Sequence, residues 1–241
     1  MIPKGIADTG SRRERVRQAT RAEIKEIAGQ QLTAGGAGAL SLRAIGRAMG
    51  MSARALYRYY RDRDDLVTDL IVDAYDSYAD ALEAAARAHP GERLIAVLIA
   101  YREWAVVHEA EFWLIYGRPI PGYHAPLERI QPAARRIRVL MTHVVEDAWR
   151  MGSIHLGSPA RFSPVTRDGL EQWRTDDATP MPQEGLTEVM GLWAVAHGMV
   201  MAELNGQTRA LGDPAELYRC VVLRTLSARF SPLSTRSSGA G

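Results

Sequence analysis

Cysteine is almost missing from this sequence. Cys220 is the only one among 241 residues, which excludes an intramolecular disulfide or a thiolate metal cluster and leaves Cys220 to read as a small buried apolar residue of the last helix. No uninterrupted apolar run reaches the roughly 18 residues that a membrane span needs, and "MIPKGIADTGSRRERVRQ" has no apolar core of a secretory signal. An intracellular protein with no membrane partner is therefore expected. Alternating strand patterns and hairpin dipeptides are lacking, so the chain reads as all-α. Nor is there a Gly-rich phosphate loop or a Gly-x-Ser-x-Gly; "HEAE" (108–111) lacks the i, i+4 histidine pair of a zinc helix, and the six histidines are scattered. These absences argue against an enzyme, a cofactor or a metal.

What is present is an uneven distribution of charge. Residues 1–63 hold thirteen basic and five acidic side chains, net +8, whereas residues 64–241 hold seventeen and twenty-three, net −6. Positive charge gathered in the first quarter suits contact with a polyanion there and not elsewhere. Only Lys4 and Lys25 among the basic residues are lysines, but arginine dominates the acidic part too, so this preference says little about binding.

Residues 1–11 lack periodicity and read as a flexible basic arm. From Arg12, the positions Val16, Ala19, Ile24, Ile27, Ala28 and Leu32 keep helical spacing, and "TAGGAGA" (33–39) ends that helix. Ser41 and Ser52 stand where N-caps are wanted, ahead of "LRAIGRAM" and "ARALYRYYR", with Gly50 at the turn between them. Two short helices joined by a glycine turn behind a longer support form a helix-turn-helix pattern over 12–63, with Ile45, Met49, Met51 and Leu56 as its small core. A fourth helix starts near Leu66, and further helices are expected over 92–107, 109–116, 125–151, 185–207 and 213–230, making a bundle over 64–230. Residues 157–185 read as a surface excursion or partly disordered loop, and 231–241 as a disordered tail.

On a helical wheel Ser52, Arg54, Tyr57, Arg58 and Arg61 project outward while Ala55, Leu56 and Tyr60 face the supports. A donor-rich face on so short a helix fits a DNA reader, because arginine bonds bidentately to guanine edges and tyrosine hydroxyls donate to phosphates. Arg43, at the start of the preceding helix, is placed to reach a base edge or a phosphate.

The stretch "LSLRAIGRAMGMSARALYRYYRDRDDLV" resembles the helix-turn-helix of the tetracycline-repressor (TetR) family of bacterial transcriptional regulators. Ile45, Gly50, Ser52, Leu56, Tyr57, Tyr59 and Leu66 fall on family positions. Gly46 replaces the usual alanine, Met51 valine, Tyr60 phenylalanine, and Arg63-Asp64 a Lys-Glu pair. The resemblance implies double-stranded DNA with a palindromic operator as partner, and Ser41, Arg43, Ser52, Arg54, Tyr57, Arg58, Tyr59 and Arg63 as DNA-facing residues. Within that set Arg43 and Arg54 would touch bases, and Tyr57, Tyr59 and Arg63 phosphates. Lys4, Arg12 and Arg13 would enter the minor groove, neutralise backbone or remain a solvated tail.

"LWAVAHGMVMAELNGQ" (192–207) resembles the Trp-x3-His-Gly element of one carboxy-terminal subgroup, as "EFWLIYGRPIPGYHAP" (111–126) does its helix-to-loop passage. Tyr101, Trp104, Trp113, Tyr116, Trp149, Trp193 and His197 are candidates to line a small-molecule effector cavity, although core packing suits each of them singly. Gly191, Ala194, Gly198 and Ala202, with Val221 on the last helix, would allow close approach of a second copy in a homodimer or pack within the monomer. A repressor released by its effector is the leading expectation; a DNA-binding dimer without an effector, or an activator, are the alternatives.

Overall fold

The computed structural model describes residues 6–117, 119–157 and 161–227, with side chains from Arg12 onward. Among them there are ten α-helices and no strand: α1 Ile6–Gly35, α2 Leu42–Ala48, α3 Ala53–Leu56, α4 Arg63–Ala88, α5 Arg93–Val107, α6 Glu109–Tyr116, α7 Leu127–Arg150, α8 Pro164–Asp176, α9 Gln183–Leu204 and α10 Pro214–Ser227. The all-α expectation holds. Two compact units divide the chain. One takes it up to Asp76 together with His108–Pro132, and the other takes Ser77–Val107 and the chain from Ala133.

The first unit is built on a core of Ile24, Ala28 and Leu32 from α1, Leu42 and Ile45 from α2, Leu56 and Tyr60, and Leu66, Val67, Leu70 and Ile71 from α4. Ile24, Ala28 and Leu32 recur at helical spacing, so one stripe of α1 is buried while Arg12 to Arg17 stay in solvent. Leu114 of α6 and Ile130 of α7 complete this core, so the unit runs past the break expected at residue 63. Met49 and Met51 are only half-buried.

In the second unit α9 packs against α5, α8 and α10. By length and composition α9 is apolar enough to cross a membrane, but Leu186, Val189, Leu192, Ala196 and Val200 are buried in this unit. Arg102 of α5 grips Glu203 of α9 with two hydrogen bonds of 2.7 and 2.5 Å, both side chains largely buried. The Tyr218 hydroxyl of α10 donates to the Leu98 carbonyl at 2.6 Å.

Three expectations need correction. Residues 6–11 belong to α1 and are not a loose arm, while 1–5 and the tail 231–241 lie outside the described residues. The third helix is a single turn, after which 57–59 continue as a turn. Within 157–185 stands a helix, α8, which Ser163 caps by accepting from the Thr166 N–H and Pro164 opens. Its carboxy end is anchored in the interior. Buried Asp177 accepts from Thr142 at 3.0 Å and from the Trp173 indole at 2.8 Å, with the Arg138 guanidinium 2.9 Å from its other oxygen. Ala178 takes a left-handed φ of 50°, and Thr179 donates to buried Glu146 at 2.7 Å.

Candidate nucleic-acid interface

Both serine caps form as the sequence predicts. Ser41 Oγ accepts the Ala44 N–H at 3.3 Å and Ser52 Oγ the Ala55 N–H at 3.2 Å. Gly50, at φ 63°, supplies the left-handed step that an L side chain resists, and the Met51 N–H closes the turn on the Gly46 carbonyl at 2.8 Å. These local bonds matter because α2 and α3, with seven and four residues, are too short to persist alone.

Capping and core packing give the pair two faces. Leu42, Ile45, Leu56 and Tyr60 are buried, whereas Arg43, Ser52, Arg54, Tyr57 and Arg58 are exposed. Tyr57 stands out: at 48% it is too open for a packing residue, while neighbouring Tyr60 is fully buried. The tyrosines therefore separate, with Tyr59 half-buried against the core. Arg43, Arg47, Ala53 and Tyr57 line one groove between α2 and α3. Arg47 did not figure among the sequence candidates, although its position one turn after Arg43 was a usable signal.

Arg63 differs from expectation in its surroundings. It is half-buried and donates to the Ala37 carbonyl at 2.6 Å, tying the start of α4 to the α1–α2 connection.

Behind this face lies an ionic hub the sequence reading missed. Asp69 of α4 accepts from the Tyr60 hydroxyl at 3.1 Å, from Arg21 of α1 at 2.5 Å and from Arg129 of α7 at 2.6 Å, with Lys25 at 3.7 Å. Arg21 also lies over the Tyr60 ring, 4.6 Å from its centroid. Burial alone would raise the Asp69 pKa, but the Arg21 hydrogen bond and the Lys25 and Arg21 charges outweigh it, so the carboxyl titrates below its ordinary value. Burial, helped by that carboxylate, pushes the Tyr60 phenol well above its usual range and keeps it a donor.

The seven aromatic candidates do not share one setting. In the second unit an aromatic column runs Trp104, Tyr78, Tyr101, His197, Trp193, with successive centroids 4.6, 5.2, 6.4 and 4.7 Å apart. Tyr101 Oη and His197 Nδ1 are 2.7 Å apart, and Trp104 donates to Ser77 at 3.1 Å. Burial pushes the His197 imidazole below its ordinary pKa. Tyr78 of α4, which joins the column, is not among the candidates read from the sequence. Trp149 is half-buried on α7. Trp113 and Tyr116 belong instead to the first unit, where Trp113 donates to Glu109 at 3.0 Å and Tyr116 packs on Phe112. Spacing along the chain could not separate these groups. Of the small residues on α9, Ala194 and Gly198 are exposed and Gly191 and Ala202 half-buried, as is Val221 on α10. Cys220 beside it, expected in the core, is exposed because it lies off the stripe of Tyr218, Val222 and Leu226 that α10 buries. Among the described residues, no group of three or more His, Cys, Asp or Glu side chains could hold a metal ion.

A pair of serine-capped helices held from behind, with arginines and a tyrosine on the open side, defines a helix-turn-helix DNA-binding protein. Comparison with known proteins agrees. Residues 26–70 match the family described as bacterial regulatory proteins of the tetR family, and residues 94–225 the tetracyclin repressor-like carboxy-terminal domain. The chain belongs to the TetR family of transcriptional regulators. It is 36% identical over 215 residues to the HTH-type transcriptional regulators Rv1816 of Mycobacterium tuberculosis and Mb1846 of Mycobacterium bovis, covering 87% of this chain and 91% of theirs. The crystal structure of the regulatory protein SCO4313 is similar at 37% identity and a TM-score of 0.74, over 89% of this chain and 98% of that one. A tetR-family regulator from Rhodococcus RHA1, 19% identical with a TM-score of 0.51, shares the fold.

Proposed function

We propose that this DNA-binding regulator is a homodimeric repressor, acting in the cytoplasm, that leaves a palindromic operator when a small molecule binds the helical bundle. The observation that carries the reading is the open face of α2 and α3, where Arg43, Arg54, Tyr57 and Arg58 are exposed while the opposite side of the same two helices is buried. In this reading Arg54 and Arg43 read base edges, Arg47, Tyr57, Arg58 and Tyr59 hold phosphates, and the Ser41 and Ser52 hydroxyls, whose oxygens cap the helices, donate to the backbone. Arg63 adds positive charge at the start of α4 while bonded to Ala37.

Two copies are needed to read a palindrome. Exposed Met190, Ala194 and Gly198 on α9, with Leu223 and Cys220 on α10, leave an open face of apolar and small residues that suits a second copy. The half-buried pair His197 and Trp193, at one end of the aromatic column, offers stacked flat rings, which suits an aromatic effector. Release requires the effector to bind one arrangement of the recognition helices better than the other.

The test is selection of duplexes from a randomised pool by the intact protein, followed by mobility shifts. Arg54→Ala is expected to lose discrimination between selected and scrambled duplexes, and Tyr57→Phe to weaken both equally. If neither variant changes binding, the DNA face is misassigned. A tight monomer in sedimentation refutes the dimer.

A further inference from the structure

Four basic residues of α1 stand at intervals of four: Arg13, Arg17, Arg21 and Lys25. Residues so spaced lie in one row along a helix. The inner half of the row is matched within the protein, since Arg21 binds Asp69, and Lys25 lies 2.6 Å from Asp73. The outer half is not. Arg13 and Arg17, with Arg12 and Val16, form one wall of an open groove of about 690 Å³ whose other wall is Arg58 and Tyr59, at the end of the recognition helix. Among the described residues none of these four arginines has a carboxylate partner. Four guanidiniums around one groove, with no carboxylate partner among the described residues, repel each other and favour an anion from outside.

The geometry points to a second DNA contact: the groove between α1 and the end of α3 seats sugar-phosphate backbone beside the stretch read by α3, with Arg13 and Arg17 each neutralising a phosphate. This rests on the DNA-binding reading above and adds a contact that is blind to sequence. Because α1 is helical from Ile6, Arg12 and Arg13 are not on a loose arm. A helix with its side chains is about 10–12 Å across, too wide for a minor groove of about 6 Å, so this wall tracks the backbone and not base edges.

The test uses the full chain, a duplex selected by the wild-type protein from a randomised pool, and a scrambled duplex of equal length. Arg13→Gln combined with Arg17→Gln is expected to weaken both duplexes by the same factor, on the order of tenfold, and to reduce the slope of log affinity against log salt by about 1.8, or about 0.9 for each phosphate lost. Arg13→Lys with Arg17→Lys should restore most of that slope. Unchanged melting of the double glutamine variant shows that the loss is not unfolding. An unchanged salt slope, or a loss confined to the selected duplex, overturns the proposal. Failure of the wild-type protein to select any sequence would instead defeat the underlying DNA-reading assignment, and the backbone contact with it.

Discussion

Arg129, at the start of α7, reaches Asp69 Oδ1 at 2.6 Å while the hydroxyl of Tyr60, just past α3, reaches Oδ2 at 3.1 Å. One carboxylate thus ties α7 to the end of the recognition helix, and Arg21 brings α1 to the same oxygen as Tyr60. Removing its charge leaves several cations facing a neutral amide in a largely buried place. Asp69→Asn should therefore destabilise the first unit by about 2–4 kcal/mol, read by chemical denaturation.

The same carboxylate sets an acid limit. Its folded pKa lies below the unfolded value of about 3.9, so its stabilising contribution is present above that value and is lost as pH falls through the folded pKa. Melting temperature of the wild type should fall more steeply than that of Asp69→Asn below about pH 4. Parallel curves would show that Asp69 does not govern acid unfolding.

Gly46 stands in the interior of α2, where a glycine costs about 1 kcal/mol relative to alanine. An added Cβ would sit 3.4 Å from the Met51 carbonyl oxygen and 3.6 Å from Leu56 Cδ2, ordinary contact distances. Gly46→Ala should thus stabilise the unit by about 0.5–1 kcal/mol and leave DNA affinity unchanged or slightly higher. A lowered melting temperature would show that the α2–α3 turn has no room for a methyl group.

His197, stacked 4.7 Å from Trp193, offers an optical readout. Burial lowers its folded pKa, so the unfolded chain binds the proton better, and stability is lost as pH falls below about 6.5 towards the folded pKa. Indole emission should be quenched with a midpoint below about 6.5, and His197→Gln should abolish that transition.

Asp177 anchors the end of α8, and Asp177→Ala leaves the Arg138 guanidinium without its carboxylate while the Thr142 hydroxyl keeps the Arg138 carbonyl and the Trp173 indole keeps Thr142 Oγ1. A cost of about 1–3 kcal/mol is expected, because the Arg138 side chain left behind is a third exposed and turns to water. Because the damage is local, limited proteolysis between residues 161 and 181 should accelerate before the remainder of the unit unfolds. Wild-type digestion kinetics in the variant would show that the α8 anchor lies elsewhere.

Much of this structure was legible because it is local. Ser41, Gly50 and Ser52 act within three or four residues, so capping and turn rules place α2 and α3. Although α3 ends at Leu56, the bonds from the Tyr57 N–H to Ala53 and from the Tyr60 N–H to Leu56 keep helix-like spacing, so Leu56 and Tyr60 still face inward and Tyr57 outward. What escaped depends on distance along the chain. Asp69 meets Arg21 and Arg129 across 48 and 60 residues, and nothing in the sequence pairs them. The separation of Trp113 from Trp193 has the same origin, since each satisfies the same apolar pattern wherever its helix packs. The α8 helix is a different case: Ser163-Pro164 is a cap followed by a first-turn proline, a signal present but obscured by the prolines and glycines around it.

The row of basic residues on α1 has a practical consequence. Its inner members fasten the helix to α4 and its outer members face solvent, so substitutions at 21 and 25 register in thermal denaturation, while those at 13 and 17 leave the melting curve where it is. With the proposed backbone contact, charge changes at the two outer positions would therefore raise or lower DNA affinity by the same factor for every duplex, leaving sequence choice to α2 and α3.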